Sequence, residues 1–222
     1  MDIQKYDFSV SARSKPESMP IDYYLSKYFS IYPISSVFGF TEYCPLYGGR
    51  KFIKPELSDE DISWLYNNNI GYRIPLQNTI ADINHYKDSK SFLSKYYREG
   101  NSVIIAQDWL VPYIREDFPL YKIEGSVIRK SLDYTLYDTI VPDMALPLEA
   151  ISNLPKDRIR LFINAWCAYD CPKRPCWKVF SALNLGLTAG DYICKGTHVE
   201  RKFDLEKYKI LGYTKFKVLR GT

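Results

Sequence analysis

Short apolar runs alternate along the chain with stretches whose apolar residues recur at helical spacing. Residues 34–40 (Ile-Ser-Ser-Val-Phe-Gly-Phe) predict a first strand, β-branched and aromatic, ending in a loop that runs through Cys44 to Gly48-Gly49-Arg50. Ser58 and Asp61 have capping-box spacing ahead of Ile62, Leu65 and Tyr66, which share one face of a predicted helix. Further strands are predicted at 71–76, 102–106, 121–126, 139–141, 158–163 and 214–219. Helical stretches are predicted at 89–98, 109–115, 147–153, 177–185 and 203–211. Asp108 is placed to cap the 109–115 helix, and Pro112 is expected to confine that helix to about its first turn. Residues 1–30, broken by Ser-Lys-Pro-Glu-Ser-Met-Pro, read as an N-terminal extension with a short helix near 21–29.

Strands and helices that alternate every 20 to 35 residues or so imply parallel βα units. No Gly-x-Gly-x-x-Gly opens the first helix, which favours a (β/α)8 TIM-type barrel over a doubly wound sheet. With 222 residues and seven predicted strands, the barrel would be a single small domain, incomplete and with trimmed helices.

The C-terminal ends of the strands form the functional face of such a barrel. The pattern delivers Asn78, Gln107, Asp108, Glu124, Asp143 and Asn164 to that face. Glu124, Asp143 and Asn164 are the candidate catalytic residues, the two carboxylates as acid/base partners, with capping or salt bridging as the plainer role. Arg50, Asn78, Gln107 and Asp108 are the candidate substrate ligands. Arg50 could offer a bidentate fork to a carboxylate or phosphate, or simply follow an ordinary glycine turn.

Composition narrows the class of protein. Hydrophobic content of 46% with 25% charged residues excludes disorder. A net charge of +4 permits a nucleic-acid partner without requiring one. The basic residues that would bear on that choice, Lys173, Arg174, Lys178, Lys195, Arg201 and Lys202, lie in the C-terminal quarter. The 20 tyrosines read as core and interface rings rather than a base-stacking platform. No signal-peptide pattern and no apolar run of about eighteen residues is present, so the expectation is a cytoplasmic protein with no membrane partner. The two histidines, His85 and His198, form no metal-ligand spacing, and no Ser-His-Asp arrangement is suggested.

Cysteine placement is the strongest chemical signal. Four of the five cysteines, Cys167, Cys171, Cys176 and Cys194, follow the pattern C-x3-C-x4-C-x17-C within the region 164–200. Converging thiolates suit zinc or an iron-sulfur cluster. Structural zinc favours tight knuckles, and only the middle interval fits that habit, whereas a cubane tolerates wider, uneven spacing. Pro172 follows Cys171 directly, as a proline follows a ligand cysteine in ferredoxin-type sites. Free thiols are the alternative, and an odd count argues against a disulfide framework.

The segment 162–174 (Phe-Ile-Asn-Ala-Trp-Cys-Ala-Tyr-Asp-Cys-Pro-Lys-Arg), with the later cysteines and residues 205–220, resembles the closing part of the collagenase-like peptidase family. Gly48-Gly49-Arg50 adds to the likeness. The resemblance implies an iron-sulfur barrel of the kind that includes oxygen-independent hydroxylases of transfer RNA, ribosomal RNA and ubiquinone precursors. It implies a [4Fe-4S] cluster on Cys167, Cys171, Cys176 and Cys194, an RNA or small-molecule substrate and an electron donor. Cys44 stands as an alternative to Cys176, and zinc as an alternative to the cluster. The contrasting reading is a non-catalytic binding or assembly protein with a structural zinc or no metal.

Overall fold

The computed structural model describes residues 6–129, 131–165, 175–188 and 200–220. Its strands in chain order are β1 Asp7–Ser11, β2 Ile34–Phe38, β3 Gly71–Ile74, β4 Ser102–Ile105, β5 Lys122–Gly125, β6 Thr139–Ile140, β7 Arg160–Phe162, β8 Asn164–Ala165, β9 Arg201–Lys202 and β10 Lys215–Val218. Eight of them form one parallel sheet in the order β6-β5-β4-β3-β2-β1-β10-β7. The two edge strands meet through a parallel bridge between Ile140 and Ile159, and Ile140 N donates to Arg158 O at 2.8 Å. The sheet is therefore nearly closed into a TIM-type barrel. The helices are α1 Ile21–Phe29, α2 Asp59–Asn67, α3 Ile83–Asp88, α4 Lys90–Lys95, α5 Leu110–Asp117, α6 Leu148–Ser152, α7 Cys176–Asn184 and α8 Leu205–Ile210. Between β5 and β6 the described residues of the crossover form a 3-10 turn, Val127–Arg129, in place of a helix, which is where the barrel is most trimmed.

Three local expectations change. Residues 7–11 belong to the barrel rather than to an extension, and β1 sits between β2 and β10. The helix after Asp108 runs eight residues because Pro112 is its third residue, where a helix has no use for the missing N–H. Asp108 does not cap it and is bonded elsewhere. The helical stretch read as 89–98 is the shorter helix α4, and it is preceded by another short helix that was not predicted, α3, opened by a capping box between Asp82 and His85. The Ser58/Asp61 box forms as predicted and starts α2.

Strand alternation sorts the side chains into two sets. Phe8, Val10, Val37, Tyr72, Ile74, Val103, Ile105, Ile123, Ile140, Leu161, Phe216 and Val218 join the helices in one apolar core. The alternate residues, which face the barrel axis, include Ser9, Ser36, Arg73, Ser102, Glu124, Arg160 and Lys217, all buried. Interiors of this fold are ordinarily filled by branched apolar residues. Here stability comes chiefly from the layer between sheet and helices, and the axis carries charge. Among the described residues, no helix is long and apolar enough to cross a membrane.

Between β7 and α8 the chain makes a long excursion from the C-terminal mouth. β8 and β9 pair antiparallel at its two ends, Asn164 opposite Lys202 and Ala165 opposite Arg201. Asn164 fastens this ribbon to the barrel: its Nδ2 donates to Leu219 O at 2.8 Å, and its Oδ1 accepts from Leu219 N at 2.7 Å.

Candidate functional site

The C-terminal face is built from loops that bind one another. Asn78, at the end of β3, is buried, and its Nδ2 donates to Pro45 O, Tyr47 O and Ser181 O at 3.0, 3.3 and 3.1 Å. Its Oδ1 accepts from Ile80 N and Ala81 N, both at 3.0 Å. Gln107 Nε2 donates to Asn78 O at 2.8 Å and to Ala81 O at 3.1 Å. Asp108 takes Arg129 on both oxygens, at 2.6 and 3.2 Å, and Tyr137 Oη at 2.7 Å. The arginine and tyrosine hold its carboxyl below the usual range, the Arg129 hydrogen bond contributing most. Arg50 is engaged by Glu56 and lies over the Phe40 ring at 4.0 Å. The residues expected to meet substrate thus hold the protein's own loops, because buried polar groups at tight loop crossings must find partners.

Helix α7 locks onto this face. Ser181 Oγ accepts from Thr79 N at 2.9 Å. Asn184 accepts from Phe52 N at 2.7 Å and donates to Tyr47 O and Arg50 O at 3.0 and 2.9 Å. Gly48 makes the close crossing possible: a Cβ there would lie 2.1 Å from Gln77 O. Beside α7, a cavity of about 630 Å³ is lined by Glu42, Tyr43, His85, Asp88, Lys95 and Leu185.

Glu124 departs most from its expected position. It lies within β5 on the barrel axis, about 1% exposed, not at the strand's end. Its Oε2 accepts from Arg73 Nη2 and from Arg160 Nε at 2.9 Å, and its Oε1 accepts from Lys217 Nζ at 3.3 Å. Burial works against ionisation, yet Arg73, Lys217 and Arg160 together outweigh it and hold the carboxyl at about 2. A carboxyl held so firmly ionised is no general acid near neutrality. Arg160 also grips Asp7, with Nη1 at 3.0 Å from Oδ1, and Asp7 too is lowered to about 2 against its own burial. Lys217 is pushed down to about 8, chiefly by burial.

This charged interior opens at the N-terminal mouth into a cavity of about 420 Å³. Its rim is formed by the first residues of six strands: Asp7, Ser102, Lys122, Thr139, Arg160 and Lys215. Sequence reading missed this group. The signal available was a charged or hydroxyl residue at alternate positions of several predicted strands.

Asp143, half-buried after β6, accepts from Ala145 N at 3.0 Å, and Asn164 also donates to Glu200 Oε1 at 3.0 Å. Of the proposed thiolate ligands, Cys176 begins α7 and is half-buried, whereas Cys167, Cys171 and Cys194 lie outside the described residues. Cys44 is buried 3.5 Å from Ser89 Oγ, and burial pushes its thiol up to about 11. Among the described residues no three His, Cys, Asp or Glu side chains converge on a metal position. Comparison of the chain with protein-family models, with curated proteins and with solved structures found no match.

Proposed function

We propose that the protein is a redox barrel whose C-terminal mouth carries a thiolate-bound iron-sulfur cluster, with Cys167, Cys171, Cys176 and Cys194 as ligands. The observation that carries this reading is the β8–β9 pairing. It brings together the two ends of the cysteine-bearing excursion at the mouth where barrel enzymes work. Cys176 lies on α7, which is itself hydrogen-bonded to that mouth. Four cysteine donors suit the cluster chemically, and the cluster when bound supplies one-electron transfer. Asp143, following β6, is the group that would orient a substrate, and Asn164, bonded to Leu219 and Glu200, would position the ribbon beside it. Lys178 and Lys202, exposed on α7 and β9, would attract its anionic part. The substrate class is an RNA base or a small anionic molecule, and the reaction type is oxygen-independent hydroxylation.

The test is iron and acid-labile sulfide analysis of protein purified without oxygen. About four irons with matching sulfide per chain, lost on Cys167→Ser, are expected. Full cluster content in that variant would refute the ligand set.

A second reading has its own support. Asn78, Gln107, Asp108 and Arg50 are all spent on internal contacts, as suits a non-catalytic binding protein with a structural zinc. About one zinc per chain without colour would favour it.

A further inference from the structure

The charged axis of the barrel is incompletely matched. Among the described residues, Arg73, Arg160 and Lys217 face two carboxylates, Glu124 and Asp7, and both are engaged by these cations and by Ser35. Arg160 spends its donors on Glu124, Asp7 and Phe216 O. Arg73 does not: among the described residues its Nε is buried without a partner, as are Ser36 Oγ and Ser102 Oγ. These three side chains line the N-terminal cavity. Each belongs to a residue more than nine-tenths buried. They are also neighbours, because Arg73 and Ser102 pair across β3 and β4 and Ser36 stands on β2 beside β3.

Salt bridges alone explain Glu124 but not the idle donors. An arginine Nε–H can only donate, so whatever lies against it must accept, while a serine hydroxyl can donate to the same atom group. Water would satisfy the hydroxyls but would leave a third buried cation without a counter-charge, which is costly in a desolvated interior. An anion does both. Lys122 and Lys215 at the rim add positive potential along the way in.

We propose that the N-terminal mouth of the barrel binds a small oxyanion of the phosphate class, held by Arg73, Ser36 and Ser102. The cavity is larger than inorganic phosphate needs, so the anion is either free phosphate or the phosphate end of a small monoester. This site lies at the opposite end of the barrel from the cysteine excursion and does not depend on a metal there.

The experiment is a thermal-shift and calorimetric titration with inorganic phosphate and with glycerol phosphate, at ionic strength held constant with chloride. The wild-type chain is compared with Ser36→Ala/Ser102→Ala. Since neither hydroxyl has a partner among the described residues, the double variant should melt at the wild-type temperature in chloride. The expected result is a phosphate-dependent rise in melting temperature for wild type and a dissociation constant at least tenfold weaker in the variant. Tighter binding of glycerol phosphate identifies a monoester as the ligand, and equal binding identifies free phosphate. No phosphate effect beyond chloride in wild type, or the same effect in both proteins, overturns the proposal.

Discussion

Replacing Glu124 by Gln keeps the shape of the side chain and removes the one carboxylate that three buried cations share. Two routes give the size of the effect. Breaking a buried ion pair by removing one partner costs about 3–5 kcal/mol, because the remaining charge stays desolvated. Independently, the carboxyl is lowered from 4.5 to about 2, and at 1.36 kcal/mol per unit this corresponds to about 3 kcal/mol. Since the folded value is the lower one, that contribution is complete above about pH 4.5 and is lost as pH falls towards 2. For a chain of this size the loss at neutral pH should lower the melting temperature by roughly 6–20 °C. Urea unfolding followed by circular dichroism measures it directly, with an unchanged slope against denaturant. Adding Lys217→Met to Glu124→Gln returns the axis to its original charge balance and should recover at least half of the loss. A single-variant cost below about 1 kcal/mol, or simple additivity in the double variant, would refute the account of the axis as one coupled network.

Lys217 gives a test of opposite sign. Its ammonium is lowered from 10.5 to about 8, so between those values the unfolded chain holds the proton more tightly and rising pH favours the folded state. Relative to Lys217→Met, the wild type should gain about 2 kcal/mol between pH 8 and 9.5, and a flat difference would contradict the burial argument. Gly48→Ala forces a Cβ against the backbone at Gln77 and should cost about 3 kcal/mol in urea unfolding; a neutral result would mean that the two loops separate freely. Asn184→Ala removes three hydrogen bonds between α7 and the loop after β2, so amide exchange over residues 176–184 should accelerate at least tenfold while β3 and β4 remain protected. Unchanged exchange would show that α7 is held by other contacts.

The barrel was legible because its apolar residues face outwards onto helices in runs that a local pattern detects, as at Ser102–Ile105. β1 escaped for the complementary reason. Asp7-Phe-Ser-Val-Ser11 does alternate, but its inward serines and aspartate give it the composition of a polar tail. Glu124 was assigned to the C-terminal mouth because it falls late in the predicted 121–126 strand, whereas it is buried on the axis among partners that make a carboxylate inside a strand tolerable. Those partners, Arg73, Arg160 and Lys217, are 51, 36 and 93 residues away and leave no local trace. The strand-end amides were correctly found at the C-terminal loops, but a sequence does not distinguish an asparagine that meets a ligand from one that ties three loops together. The Asp82–His85 box was missed because the third helical position carries histidine instead of the usual Glu or Gln.

The position of β10 bears on the order in which the protein can be made. It follows every other strand in the chain, yet it lies between β1 and β7 and supplies Lys217 to the axis. During synthesis the first strand therefore waits for a neighbour more than two hundred residues downstream, Asp7 for Lys215 and Val10 for Val218. Pairing at such separation is slow, and the unpaired strand edges of an unfinished parallel sheet invite association with other chains. A growing chain can assemble β1 to β6 as a curved sheet with its helices, but the ring cannot be completed until the β10 residues have emerged.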